Sequence, residues 1–97
     1  MKKSKTPRNM AIISAYNCDG TAIVENTMTL DDYYGSSCEV IDSTAYRVSR
    51  GIESICGLLY NSKGILFQEF MNRYGKDGTY LGATIKYDDG AVVEFKP

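Results

Sequence analysis

The chain ends in YDDGAVVEFKP, residues Tyr87–Pro97, and this stretch predicts a β-hairpin. Asp89-Gly90 separates two runs that are rich in β-branched and aromatic residues. Glycine readily adopts the positive φ that a tight reversal requires, and Asp favours such turns. The same dipeptide occurs at Asp19-Gly20 and at Asp77-Gly78. We therefore interpret the Asp-Gly pairs as chain reversals rather than as a source of chemistry.

Two hairpins follow from this interpretation. Residues 10–17 and 21–30 flank the first Asp-Gly pair, and residues 79–88 and 91–96 flank the last. Both pairs of segments contain the alternation of apolar and polar residues that indicates strands with one buried face. In the last hairpin, one face is expected to carry Leu81, Ala83, Ile85 and Tyr87, with Val93 and Phe95 facing the core from the partner strand.

Between the hairpins, the sequence predicts a loop and a long helix. The loop is DDYYGSSCEVID, residues 31–42. The helix spans Ser43 to Tyr60, with Asp42 or Ser43 as its N-cap and a stop at residues 61–64. Apolar residues recur there at three- and four-residue spacing, as expected for one face of a helix: Ala45, Val48, Ile52, Ile55, Cys56 and Leu59.

The segment 65–74 fits either a short second helix or a strand, and we favour the helix. Its apolar positions are Leu66, Phe67, Phe70, Met71 and Tyr74. The predicted fold is then a small two-layer α+β domain. An antiparallel sheet of about four strands packs against one main helix and a short second helix, in the order β-β-α-(α)-β-β. Residues 1–9 form a basic tail that we expect to be disordered, and residues 10–97 form a single globular domain.

Composition limits the class of protein. A chain of 97 residues with ordinary apolar content has room for one core. Its cysteines are Cys18, Cys38 and Cys56, an odd number at wide spacing, which favours free thiols in a reducing compartment. No apolar run has the length of a membrane span. We expect a soluble cytoplasmic protein with no membrane association and no cofactor.

Charge is distributed unevenly along the chain. Lys2, Lys3, Lys5 and Arg8 precede a segment, residues 9–46, that contains no basic residue. The acidic residues of this segment are Asp19, Glu25, Asp31, Asp32, Glu39 and Asp42. The pair Tyr33-Tyr34 lies among them, and tyrosine provides large, stiff contact area while carboxylates attract cationic partners. The alternative is that one of these tyrosines covers the core and the acids only maintain solubility.

No catalytic motif is complete. The chain has no histidine, which removes Ser-His and Cys-His pairs and most zinc sites. We expect a non-enzymatic interaction protein whose acidic surface docks on a basic site of a protein partner. Such a site includes the nucleic-acid groove that inhibitors and immunity-type proteins occupy by mimicking nucleic acid. The expected partner-binding residues are Asp31, Asp32, Tyr33, Tyr34, Glu39 and Asp42.

Two other functions stay open. A small nucleic-acid-binding protein would use the basic N-terminal arm and would need basic residues continued on the folded body, which makes direct nucleic-acid binding the less favoured reading. A metal-dependent nuclease would use Asp88 or Asp89 with Glu94 and Lys96, where carboxylates hold the cation and the lysine stabilises phosphate charge. The simpler explanation of Glu94 and Lys96 is a strand with one solvated face.

Overall fold

The structure of the protein is a computed structural model that describes residues 7–36 and 38–97. In these residues the chain forms an α+β domain, which confirms the predicted fold class. The elements are β1 (Met10–Tyr16), β2 (Ala22–Thr29), α1 (Leu30–Gly35), α2 (Glu39–Asp42), α3 (Thr44–Arg50), β3 (Ser54–Tyr60), β4 (Leu66–Tyr74), β5 (Tyr80–Tyr87) and β6 (Val92–Phe95).

The strands of the described residues form one six-stranded antiparallel sheet in the order β2-β1-β3-β4-β5-β6. The hairpin of β1 and β2 lies at one end, and β3 to β6 follow one another as a meander. The helices form the connection between β2 and β3. Because β3 pairs with β1 on the side opposite β2, this connection crosses one face of the sheet and covers it.

Each hairpin is closed by the same turn, which confirms that the Asp-Gly pairs are architectural. Gly20, Gly78 and Gly90 have φ of 86°, 84° and 91°, and Gly64 in the turn between β3 and β4 has φ of 79°. The backbone N–H of each glycine donates to the carbonyl three residues earlier; in the same order, the acceptors are Asn17, Gly75, Tyr87 and Asn61. This geometry is a type I turn followed by a left-handed glycine, a common way to join antiparallel strands.

The predicted helix from Ser43 to Tyr60 is wrong in its second half. Ser43 is the N-cap as expected, since its Oγ accepts the Tyr46 N–H at 3.1 Å. The helix ends at Gly51, whose φ of 72° is left-handed and stops the helical hydrogen bonds. Residues 54–60 form β3 instead, with alternate residues buried. The spacing of Ile55 and Leu59 suits a helix face and a strand face equally.

The predicted second helix is also wrong, because Leu66–Tyr74 forms the strand β4 between β3 and β5. The reason lies in a cross-strand pair of Gly57 and Phe70. A Cβ on Gly57 would stand 2.1 Å from Cε2 of Phe70, so the Phe70 ring occupies the space that a side chain on β3 would need. These two strands raise the sheet from about four predicted strands to six.

The core lies between the helices and the covered face of the sheet. Its buried residues are Ala11, Ile13, Ala15, Val40, Ile52, Ile55, Leu59, Phe70 and Tyr74. Val93 and Phe95 lie on the core side of the sheet as expected, but they are not part of the core. They are on the same side of the sheet as Ala83 and Ile85, but they are 38% and 46% exposed. Strand β6 therefore extends beyond the part of the sheet that the core occupies.

The chain enters the sheet at Asn9. Its N–H donates to the Asn61 carbonyl at 3.0 Å, and its carbonyl accepts the Leu30 N–H at 2.8 Å. Residues 1–9 were predicted to be a disordered tail. The first six of them lie outside the part of the chain that the structure describes. Among the described helices, none has the length and apolarity needed to cross a membrane.

Candidate protein-binding surface

The expected partner-binding residues lie on two short helices rather than in a loop. We use the name acidic helical surface for Asp31, Asp32, Tyr33 and Tyr34 of α1 with Glu39 and Asp42 of α2. The prediction from the sequence misses these helices because they are only six and four residues long. Segments of this length contain too few apolar positions for a periodicity to be visible.

Local hydrogen bonds explain why α1 begins where it does. Thr29 is the N-cap, and its Oγ1 accepts the Asp32 N–H at 3.0 Å. Asp31 and Asp32 therefore occupy the first turn, where the unpaired N–H groups of a helix favour negative charge. The two carboxylates have a helix-stabilising role in addition to any role in binding.

Asp42 also has a structural contact. Its carboxylate accepts the Cys38 N–H at 2.8 Å, which ties the end of α2 back to its beginning. Glu39, by contrast, is an exposed residue in the first turn of α2. A test of binding that includes Asp42 would therefore also change the local fold.

Tyr33 covers the core. Its ring packs against Phe70 at 6.3 Å between centroids, with the two planes 25° apart. Burial raises the pKa of the Tyr33 hydroxyl above its ordinary value of 10.0, and the neighbouring groups of Tyr34, Cys38 and Asp42 raise it further.

Tyr34 points to solvent. It is 65% exposed, and its ring meets the edge of the Tyr33 ring at 5.2 Å and 63°. The structure thus separates the two adjacent tyrosines: Tyr33 is held by the core, and Tyr34 presents a large aromatic surface next to the carboxylates. The core-covering interpretation of the tyrosine pair applies to Tyr33, and the partner-binding interpretation stays a prediction for Tyr34.

Three carboxylates of the acidic helical surface are open to solvent in the structure. Asp31, Asp32 and Glu39 are exposed and form no ion pair within the described residues. The ion pair found in residues 7–36 and 38–97 joins Arg73 and Glu94 at 3.7 Å, on the opposite face of the sheet. Exposed carboxylates that form no ion pair contribute a negative potential, which attracts cationic groups.

The nearest basic residue along the chain, Arg47, is buried and was not identified from the sequence. Only 5% of it is exposed. Its guanidinium donates to the carbonyl of Ile41 and to Thr44 Oγ1 at 3.2 Å. It also lies over the Tyr74 ring, with Cζ 4.0 Å from the centroid. Arg47 therefore cannot extend the basic N-terminal arm across the folded surface, as the nucleic-acid-binding alternative requires.

The terminal hairpin places the proposed nuclease residues in other interactions. Asp89 accepts the Ala91 N–H at 2.9 Å within the turn. The Glu94 carboxylate accepts the Thr84 hydroxyl at 3.0 and 3.1 Å and pairs with Arg73. In the part of the chain that the structure describes, no group of three acidic, cysteine or histidine side chains is placed to hold a metal ion.

The three cysteines are free thiols. Cys18 is exposed in the first turn, whereas Cys38 and Cys56 are partly buried. Burial raises the pKa of the Cys38 and Cys56 thiols above the ordinary value of 9.0. Because the thiolate is the nucleophile, raised pKa values do not favour reactivity at neutral pH.

Comparisons of this chain with protein-family models, with curated proteins and with solved structures find no match.

Proposed function

We propose that this protein is a non-enzymatic interaction protein whose acidic helical surface docks on a basic site of a protein partner. The partner site is of the kind that binds nucleic acid, so the protein acts as an inhibitor or immunity-type protein does. The observation that carries the proposal is that Tyr34 is exposed together with Asp31, Asp32 and Glu39, and that these carboxylates form no ion pair within the described residues.

Charge and aromatic area have different parts in this proposal. The carboxylates provide a long-range field that speeds encounter with a cationic surface and weakens as salt is added. Tyr34 provides a contact that forms only after encounter, when its exposed ring is buried against the partner. Tyr33 supports Tyr34 from beneath through the edge contact between the two rings.

The test compares two variants with equal loss of charge. One is Asp31→Asn/Asp32→Asn/Glu39→Gln, which neutralises the surface and leaves Asp42 on the Cys38 N–H. The matched control is Glu25→Gln/Glu69→Gln/Asp88→Asn, whose residues lie outside the surface. Each protein is immobilised to capture partners from an extract of the native host. Association and dissociation rates are then measured against the purified captured protein over a salt series.

We expect the surface variant to associate with the partner at least about tenfold more slowly at low salt, with a difference that shrinks as salt rises. The control variant should retain most of the wild-type association rate. Equal losses in the two variants would attribute the effect to net charge and would contradict docking through this surface. Thermal melts of both variants verify that they fold.

A further inference from the structure

Strand β6 forms an open edge of the sheet. It pairs with β5 on one side, and the described residues place no strand on its other side. Exposed apolar side chains concentrate here: of the nine large ones in the described residues, Leu81, Tyr87, Val92, Val93 and Phe95 belong to β5 or β6. The opposite edge differs, because β2 carries three consecutive exposed polar residues, Glu25 to Thr27. Polar and charged side chains discourage edge pairing unless they meet complementary groups on the partner strand.

We propose that β6 pairs with β6 of a second copy of this chain, antiparallel, about a two-fold axis at Phe95. In this register Phe95 stands opposite Phe95, Glu94 stands opposite Lys96 of the second copy, and Lys96 stands opposite Glu94 of the second copy. The sequence Glu94-Phe95-Lys96 is thus complementary to itself when reversed. Opposite charges directly across an antiparallel pair are stabilising.

Neighbouring registers lack this complementarity. A two-fold axis at Glu94 would place two carboxylates opposite each other, which is destabilising. An axis at Val93 would place Glu94 opposite Val92 and would leave Lys96 without a carboxylate. Charge therefore selects the register centred on Phe95.

The backbone of β6 also suits this register. The hairpin closes with the Tyr87 N–H donating to the Ala91 carbonyl, and bonded and non-bonded pairs alternate from there. The backbone N–H and C=O groups of Val93 and Phe95 are consequently hydrogen-bonded to β5. Those of Glu94 and Lys96 point away from β5, toward the open edge. Pro97, which has no N–H, would stand opposite Val93 at a position where no outward donor is required.

The side chains can meet on both faces of the joined sheet. Phe95 and Val93 lie on the same side of the sheet as the core, beyond its edge, and are 46% and 38% exposed. Two copies would bury these residues against each other. On the opposite face Lys96 of the second copy would join Glu94, which already holds Arg73 and Thr84. The two-fold axis is perpendicular to the sheet, so both acidic helical surfaces would lie on the same side of the dimer.

The test measures the oligomeric state of the full chain by sedimentation velocity from micromolar to millimolar concentration. Lys96→Glu converts both charge pairs into like-charge pairs, and we expect the dimer dissociation constant to rise about tenfold or more. Lys63→Glu, an equal change of charge in the turn between β3 and β4, is the matched control and should leave the constant unchanged. An equimolar mixture of the Lys96→Glu and Glu94→Lys chains restores opposite charges in both pairs, so the mixture should dimerise more tightly than either chain alone.

Phe95→Asp provides a second test that leaves the Glu94 contacts with Arg73 and Thr84 intact. It places two carboxylates at the axis and should abolish the dimer in a chain that melts as a folded protein. A wild-type chain that stays monomeric over the whole concentration range would overturn the proposal. So would a dimer that persists unchanged in Lys96→Glu, since that dimer would use another surface.

Discussion

The guanidinium of Arg47 lies over the ring of Tyr74, with Cζ 4.0 Å from the ring centroid. This contact joins α3 to β4 across the core. The same guanidinium donates to the Ile41 carbonyl near the end of α2, where backbone acceptors lack helical partners. One buried cation thus connects two helices with the sheet, and its charge is balanced by carbonyl dipoles and an aromatic face.

Removal of this cation should destabilise the protein strongly. Arg47→Met keeps most of the volume but leaves the Ile41 carbonyl without its donor, and we expect a loss of about 3 kcal/mol in the free energy of unfolding. Arg50→Met is the matched control on the same helix, because Arg50 is exposed and only approaches the Tyr46 ring at 5.1 Å. Arg50→Met should lower the free energy of unfolding by less than about 1 kcal/mol. Urea unfolding measures both, and similar losses in the two variants would contradict a structural role for Arg47.

Two turn glycines with the same backbone conformation should respond differently to alanine. At Gly90 an added Cβ meets nothing within 4 Å, so Gly90→Ala introduces only the strain of a positive φ, about 1 kcal/mol. At Gly78 the Cβ would stand 2.6 Å from Thr44 Cγ2 and 2.9 Å from Val48 Cγ2. Gly78→Ala should therefore lower the free energy of unfolding by at least about 1 kcal/mol more. If chemical unfolding gives the same loss of unfolding free energy for Gly78→Ala and Gly90→Ala, the turn between β4 and β5 is not in close contact with α3.

These turns are the part of the fold that the sequence predicts best, because a left-handed glycine is a local requirement. Strand β3 shows the opposite case. Its buried positions Ile55, Gly57 and Leu59 alternate, but the middle one is a glycine, so the apolar pattern keeps only the four-residue spacing of Ile55 and Leu59. The ring of Phe70 replaces the missing side chain from the neighbouring strand. Such a cross-strand contact is not visible within the segment itself, and the helical prediction followed.

The sequence identifies the acidic residues of the candidate surface but not the helices on which they lie or the environments of the two tyrosines. The absence of basic residues from 9 to 46 identifies the acids, and the burial of Arg47 removes the next basic residue along the chain from the surface. The separate environments of Tyr33 and Tyr34 depend on Phe70, more than thirty residues away in the chain. Adjacent residues of one type can be distinguished only when their tertiary contacts are known.

The stability of the protein should fall at high pH because of Tyr33. Its pKa is raised above 10.0 in the folded state, so the folded protein holds this proton more tightly than the unfolded chain does. The resulting stability is fully present below about pH 10 and is lost as the pH rises through the folded pKa. In Tyr33→Phe the free energy of unfolding should decline less steeply between about pH 9 and pH 12. The Cys38 and Cys56 thiols, whose pKa values are also raised, remain in both proteins and provide a common background. Parallel pH profiles would exclude Tyr33 as a source of the decline.

The two tyrosines should separate folding from binding. Tyr33→Ala removes a ring that packs on Phe70 and the core, so it should destabilise the protein by about 2 to 4 kcal/mol. Tyr34→Ala removes a ring that is 65% exposed, so its effect on stability should stay below about 1 kcal/mol.

For partner binding, we expect Tyr34→Ala to have the larger effect, the reverse of the order expected for stability. If Tyr34 is buried against the partner, Tyr34→Ala should speed dissociation by about tenfold or more while the association rate changes little, because a short-range contact is lost and the long-range field remains. Tyr34→Phe, which keeps the ring, is the conservative control and should dissociate at close to the wild-type rate unless the hydroxyl itself is bonded. Thermal melts and dissociation rates against the captured partner measure the two effects in the same proteins. A Tyr34→Ala variant that folds and dissociates like the wild type would remove the aromatic contact from the docking surface and leave the carboxylates as its only determinant.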